Sequence, residues 1–466
     1  MLEISTLVFC ALGTLLFFWG AHALLSALII SSVFQAMAFI NLGTSPIIVY
    51  YFFGILFVLR GALDVFWVPK AWWIPARNDP LFYLLAFVFL AILGAFLSPQ
   101  VFYGSLVYSP KLSIDEQFNN MTPLGLDTQH LNQSIQLAVN ALIFIVIWLR
   151  PTLPAIFIRA IFSGLLLTIA IAIWQVAANA TGVYFPKELL YTVEGWSLGN
   201  DQLIGSFTRV NSTFLEPSGF ATYLIGIFGF LLVWWVRRPS WVLLLCTLLT
   251  IGAILVTTST TAYLGLVCIV TCILCAFGLL QLINGGWMSK PLLAIVLATI
   301  AIGWLGLIVF MGSSDIRDLV NLVLLQKSDG DSFKVRIESD LQGFEILWHT
   351  YGFGVGLGSN RPSSFFTFLL SNLGILGFVF LALFLITLTR LALQNTSCLQ
   401  KMPWHDWAVA GAWGLWAIIV AKISAQPDLS FSPMWVWIFF LASLCSASPI
   451  LLRQQHSSDL VHGPAV

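Results

Sequence analysis

Charge and imidazole are scarce in this chain, and they gather beside a glycine series from Ser332 to Asn360, SFKVRIESDLQGFEILWHTYGFGVGLGSN. Glu345 stands four residues before His349, a spacing that on a helix lets the carboxylate reach the imidazole. An imidazole oriented in this way suits proton abstraction, the work of a general base. The same spacing also fits an interfacial histidine making an ordinary hydrogen bond. Ser332 is placed to cap a helix running to about His349, with Ile337, Leu341, Phe344 and Trp348 on one side. That helix is expected to lie along a membrane interface, its apolar stripe toward the spans and lipid. Arg336 precedes His349 by thirteen residues, about 20 Å and a turn of about 140° on an unbroken helix. The two then serve different parts of an extended substrate, unless Gly343 between them breaks the helix.

Gly352, Gly354, Gly356 and Gly358 follow at every second position. Such a series allows close backbone approach and could aim amide groups at an anion. A flexible re-entry into the next span explains it equally well, and no strand and helix surround it to make a dinucleotide fold.

A second constellation runs from Phe207 to Leu224, FTRVNSTFLEPSGFATYL. Glu216 followed by Pro217 is a helix-start signal. Arg209 has no such local role, and its planar guanidinium suits bidentate contact with phosphate; an ordinary surface arginine is the plainer reading. A third piece, Leu255 to Tyr263, is a hydroxyl cluster between two apolar runs. It could line a sugar site, although satisfying helix ends is the favoured reading.

The elements that must hold these residues are membrane helices. Of 466 residues 59% are hydrophobic and 9% charged, against roughly 25% charged in an average soluble domain. Apolar runs of about 20 residues recur throughout, each long enough to cross about 30 Å of hydrocarbon as a helix. Strand-like alternation is lacking, which argues against a barrel. The expectation is an all-α polytopic membrane protein, a single integral domain over 1–466, with about thirteen spans (twelve to fourteen). These run at roughly 4–20, 23–42, 45–63, 81–98, 134–149, 155–177, 218–236, 239–257, 261–282, 291–311, 363–389, 405–422 and 433–451. Met1 to Leu28 lacks a basic leader and continues into apolar sequence, so it reads as a first span.

Short basic connections at Arg60 to Arg77, Arg150 and Arg159, Arg237 and Arg238, Lys290, Arg390 and Lys401, and Arg453 mark the cytoplasmic ends. Three long connections then face outward, at about 99–133, 178–217 and 312–362; connections this long are usually functional or disordered. The last carries Arg317, Arg336, Asp340, Glu345 and His349 and is expected to contain short helices. The spans bear almost no ionisable residue near their centres, which favours chemistry at the outer face over ion-coupled transport. No inverted repeat is visible. Net charge is zero, so nothing points to nucleic acid. Six of seven cysteines lie inside apolar runs, giving no disulfide framework, and the Cys272-x-x-Cys275 pair has no histidine beside it to suggest a metal.

In order of features the chain resembles the O-antigen polymerase and O-antigen ligase superfamily of bacterial envelope glycosyltransferases. The resemblance rests on Arg209 followed by FLEPSGFATYL, on TTSTTAYLGL ending the next span, and on the long outer loop with WHTYGFGVGLGSN leading to FFTFLLSNLGILGFVFLALF. The closing ISAQPDLSFSPMWVWIFFLA looks like the last outer turn and span of the exopolysaccharide polymerases in that group. The matching segments cover roughly 205–270 and 330–445; elsewhere the likeness is only a row of spans.

The resemblance implies a lipid-sugar glycosyltransferase fold in the bacterial inner membrane, working at the periplasmic face without metal, nucleotide or other cofactor. Its donor and acceptor would be glycans on undecaprenyl diphosphate, with chain-length regulator or export proteins as partners beside the membrane lipid. Arg336 followed by Gly352 keeps the arginine-x15-glycine spacing of polymerases. His349 followed by Gly356 is one residue short of the polymerase histidine spacing, and Thr350 and Asn360 break the ligase pattern. The polymerase is therefore the leading expectation and the ligase the alternative. By the same resemblance His349 is the base, Arg209 and Arg336 hold the diphosphate, and Glu216, Asp340, Glu345 and Arg317 lie on the substrate side. A shape-and-division cell-wall polymerase, a lipid-linked oligosaccharide flippase and a noncatalytic scaffold are rivals. The first lacks its clear motifs here, the second needs charged spans, and the third has no need of clustered arginine and histidine.

Overall fold

The structure is a computed structural model that describes residues 4–42, 45–66, 79–109, 121–194, 203–204, 207–283, 290, 292–297, 299, 304, 331–397, 403–424 and 426–461. Its helices are α1 (Ile4–Trp19), α2 (Ala21–Ser31), α3 (Val49–Phe66), α4 (Pro80–Val101), α5 (Thr128–Leu149), α6 (Pro154–Thr181), the single turn α7 (Lys187–Leu190), α8 (Pro217–Arg237), α9 (Trp241–Val256), α10 (Thr260–Ile283), α11 (Asp331–His349), α12 (Phe365–Ser397), α13 (Trp404–Lys422) and α14 (Ser432–Val461). Six of them, α4, α5, α6, α8, α10 and α12, are long and apolar enough to cross a membrane, and α1, α2, α9 and α14 add shorter apolar stretches. Among the described residues, strand is confined to three antiparallel two-stranded ribbons, of which β1 (Ala38–Leu42) pairs with β2 (Ser45–Ile48) and β3 (Leu106–Tyr108) with β4 (Met121–Pro123). The all-α class of a membrane protein therefore holds.

The expected span at 23–42 is corrected. Helix ends at Ser31, where the hydroxyls of Ser31 and Ser32 turn back onto the carbonyls of Leu28 and Ile29, a side-chain competition that favours helix ends. The apolar remainder folds into β1, Ala38 opposite Ile48 and Leu42 opposite Ser45. An apolar run alone does not distinguish a buried strand from a buried helix. Most of the expected 291–311 span, and residues 312–330 with Arg317, lie outside the described residues.

Helix α8 is the hub, with 89% of its most apolar stretch buried. Gly226 and Gly229 bring it close to α13: a Cβ on Gly226 would lie 2.3 Å from Ile418, and one on Gly229 2.9 Å from Ala417. Small residues permit such approach where packing, not water exclusion, drives helix association. Two ion clusters mark one end of the bundle. Arg237 Nε donates to Asp406 Oδ1 at 2.6 Å and Arg238 pairs with the same carboxylate, while Asp64 is shared by Arg60 and Arg150. These are the connections read from sequence as basic turns. The start of α8 at Glu216 lies at the opposite end, about 30 Å along the helix.

Helix α11 is continuous, so Gly343 does not break it; its missing side chain instead admits Thr367 of α12, which a Cβ would meet at 2.4 Å. The interruption falls in α12, at Gly374 with φ 67°. The glycine loop fills it. Val355 and Gly356 donate to the carbonyls of Ser371 and Asn372, and Ile375 donates to the Gly352 carbonyl. Ser359 and Asn360 donate their amides to Asn372 Oδ1. All four loop glycines have positive φ, and a Cβ on Gly356 would come within 2.5 Å of the Gly94 carbonyl of α4. The series is a packed joint, most of its amides donating to protein carbonyls, to the Thr350 hydroxyl or to the Asn372 carboxamide.

Candidate functional site

The joint and the end of α8 together build an open cleft with a cavity volume of about 40 Å³. Glu216 and Ser218 come from the start of α8, Arg336 and Ser339 from the first half of α11, Arg361 and Ser363 from the end of the glycine loop, and Gln426 from the turn between α13 and α14. Arg361 is fixed through its backbone, its N–H donating to the Tyr108 carbonyl at 3.1 Å, while Tyr108 donates to Asn360 Oδ1 at 3.0 Å.

Arg209 joins the cleft electrostatically. Burial pushes its pKa down, the Glu216 carboxylate raises it and the Arg336 guanidinium lowers it again, so the three charges lie within each other's field. Arg209 Nε donates to the Thr257 carbonyl at 3.4 Å, which makes the hydroxyl cluster a support of the site. That cluster also serves its helix end, with Thr257 Oγ1 donating to Ile254 O and accepting from Ser259 N. Glu216 occupies the cap position of α8, but its side chain does not cap; Oε2 accepts from Ser218 Oγ at 3.0 Å. Asp340 lies beside Arg336 on α11 and accepts from the backbone N–H groups of Ser363 and Ser364. Arg336 and Arg361 thus line the cleft with Glu216, and Arg209 stands within the field of Arg336 and Glu216, an arrangement that can hold a diphosphate by charge-assisted hydrogen bonds.

His349 and Glu345 stand elsewhere. Both are exposed in the last turns of α11, not hydrogen-bonded to each other, and the unbroken helix sets His349 about 20 Å along from Arg336. Ile337, Leu341, Phe344 and Trp348 form the expected stripe and are exposed, while Val335, Ser339, Gln342, Ile346 and Leu347 are buried on the other face.

Three contributors escaped the sequence. Arg361 was visible only as one more basic residue of the long loop. His130 Nε2 lies 2.9 Å from Ser359 Oγ, with Nδ1 accepting from Asp127 N–H, so it anchors the glycine loop to α5. Lys422 is fully buried at the end of α13, its ammonium donating to the carbonyls of Gln426 and Asp428 at 2.6 and 2.8 Å. A lysine closing an apolar run just before a proline turn was the available signal. Among the described residues no group of three His, Cys, Asp or Glu side chains is arranged to hold a metal ion.

Fold and cleft together describe a helical membrane protein with an arginine-walled site at one end of the bundle. No protein-family model matches the chain, and no curated protein matches it.

Proposed function

We propose that the cleft binds the diphosphate of a polyprenyl-linked glycan and that the protein polymerises such glycans into exopolysaccharide or O-antigen at the periplasmic face of a bacterial inner membrane. The lining of one cleft by Arg336, Arg361 and Glu216, with Arg209 within the field of Arg336 and Glu216, is the observation that carries this reading. A guanidinium set suits the two phosphates in the ground state and their growing charge as the bond to the sugar breaks, where oriented cations contribute several kcal/mol.

In the reaction an acceptor hydroxyl attacks the anomeric carbon of the donor sugar. The new C–O bond forms as the C–O bond to the diphosphate breaks, polyprenyl diphosphate leaves with the electron pair, and in-line attack inverts the anomeric centre. Glu216, which lines the cleft and does not cap α8, takes the hydroxyl proton in this reading. His349 and Glu345, far along α11, fit contact with a more distant part of the acceptor glycan. The interruption of α12 at Gly374 favours an enzyme over a transporter: backbone groups at Ser371, Asn372 and Ile375, which a broken-helix transporter would offer to its cargo, are occupied by the glycine loop.

The test is complementation of a polysaccharide-deficient host with wild type, Arg209→Ala, Arg336→Ala and Arg361→Ala at equal expression. Loss of long polymer with accumulation of single lipid-linked repeats supports a polymerase. Free lipid-linked long polymer would indicate the ligase, and unchanged surface polymer in all three variants would refute the site.

A further inference from the structure

The turn between α13 and α14 has no part in the reaction above, yet it is held in place by a buried charge. The Lys422 ammonium donates to the Gln426 and Asp428 carbonyls and sits 4.6 Å and 5.0 Å from the ring centres of Phe365 and Phe431. Gln426 is thereby kept at φ 59°, a left-handed backbone that a residue with a side chain holds only where its surroundings impose it. Its side chain then lies in the cleft wall with Arg336, Arg361 and Glu216. Space is left for it at Gly219, where a Cβ would come within 2.9 Å of the Gln426 amide nitrogen. Among the described residues the carboxamide makes no hydrogen bond, whereas the Gln426 carbonyl is committed to Lys422.

A carboxamide carries two N–H donors and one acceptor oxygen and no charge. Beside the guanidiniums of Arg336 and Arg361 it adds little for a phosphate. It matches the hydroxyl and acetamido groups of a sugar, which donate and accept together. We propose that Gln426 is a specificity-determining residue that hydrogen-bonds the first sugar attached to the diphosphate, with Lys422 holding the turn that presents it. The assignment rests on the polyprenyl-glycan reading of the cleft. A site that hydrogen-bonds a substrate group discriminates strongly against analogues lacking it, so the effect should appear as loss of sugar preference and not as loss of lipid binding.

The experiment measures binding of undecaprenyl diphosphate, its glucosyl ester and its N-acetylglucosaminyl ester to the full chain in lipid nanodiscs. Wild type is expected to prefer at least one glycosylated lipid over the sugar-free one. Gln426→Ala should lose that preference by about five- to thirty-fold while its affinity for undecaprenyl diphosphate stays at the wild-type level; Arg336→Ala should weaken all three. Gln426→Met, of similar length without hydrogen-bonding groups, supplies the same comparison if the alanine variant melts early. A preserved sugar preference in the Gln426 variants overturns the proposal, as does equal weakening of all three lipids. A wild type that binds all three alike removes the sugar subsite but leaves the diphosphate cleft standing. A wild type that binds none refutes the reading of the cleft itself, and this inference with it.

Discussion

The carboxylate of Asp340 accepts a 2.9 Å hydrogen bond from the backbone N–H of Ser363, and the same oxygen accepts from Ser364. The first half of α11 is thereby tied to the start of α12, with Arg336 one turn away. Burial raises the Asp340 pKa above its ordinary 3.8 even though these bonds and Arg336 pull it down. A folded chain then keeps a proton that the unfolded chain sheds. The contribution of this group to stability is fully present below its ordinary pKa and is lost as pH rises through the raised value. Asp340→Asn, which keeps an acceptor and abolishes ionisation, should flatten the pH dependence in that window. Asp340→Ala, which strands two N–H groups, should lower stability by about 1–3 kcal/mol. Thermal unfolding in nanodiscs between about pH 4 and pH 7 reads both; an unchanged slope in the asparagine variant would remove the argument.

The arginines should matter far more than the histidine. With purified protein and lipid-linked repeats, Arg209→Ala and Arg336→Ala should each slow polymerisation by about 10²- to 10³-fold. Lysine at either position should restore only part, because the bidentate fork is lost. Glu216→Gln should depress turnover while leaving lipid binding near normal. His349→Ala should act chiefly on the acceptor KM. Turnover falling as steeply in His349→Ala as in Arg336→Ala would return the histidine to the reacting centre.

Two glycine substitutions separate packing from backbone freedom. Gly356→Ala forces a Cβ to 2.5 Å from the Gly94 carbonyl at φ 98°, while Gly182→Ala adopts φ 74° with nothing within 4 Å. The first should cost more than about 3 kcal/mol, the second about 1–2. Melting temperatures of the two variants provide the comparison, and equal losses would mean that the loop does not press on α4.

Topology offers an independent check. If the Arg237, Arg238 and Asp406 cluster marks the cytoplasmic end, a reporter fused after Arg238 should be active in the cytosol and one fused after Gly182 outside it. The reverse pattern would put the cleft on the wrong side for a periplasmic enzyme.

Apolar runs were enough to locate most helices, because a 20-residue hydrophobic stretch has few alternatives in lipid. The stripe through Ile337 and Trp348 likewise ended α11 at His349 as expected, whereas Ser332 lies within the helix and is not its cap. Contacts between distant segments were less legible. Spacing along one helix placed His349 and Arg336 correctly relative to each other, yet nothing local indicates that Arg361 lies beside Glu216. The alternate glycines carry the same letters whether they cradle an anion or lie against α4; only the carbonyl of Gly94 above Gly356 decides between the two. Ala38–Leu42 and Ser45–Ile48 form strands where apolar runs predict helix, because hydropathy measures burial and not backbone shape.

The amphipathic α11 has a wider consequence. Arg336 lies on a helix whose other face presents Leu341 and Trp348, 58% and 80% exposed, to the surroundings. If acyl chains cover that face, the height of the arginine above the bundle follows bilayer thickness, and mismatch costs fractions of a kcal/mol per Å. Short-chain phospholipids would then detune catalysis without altering a single residue.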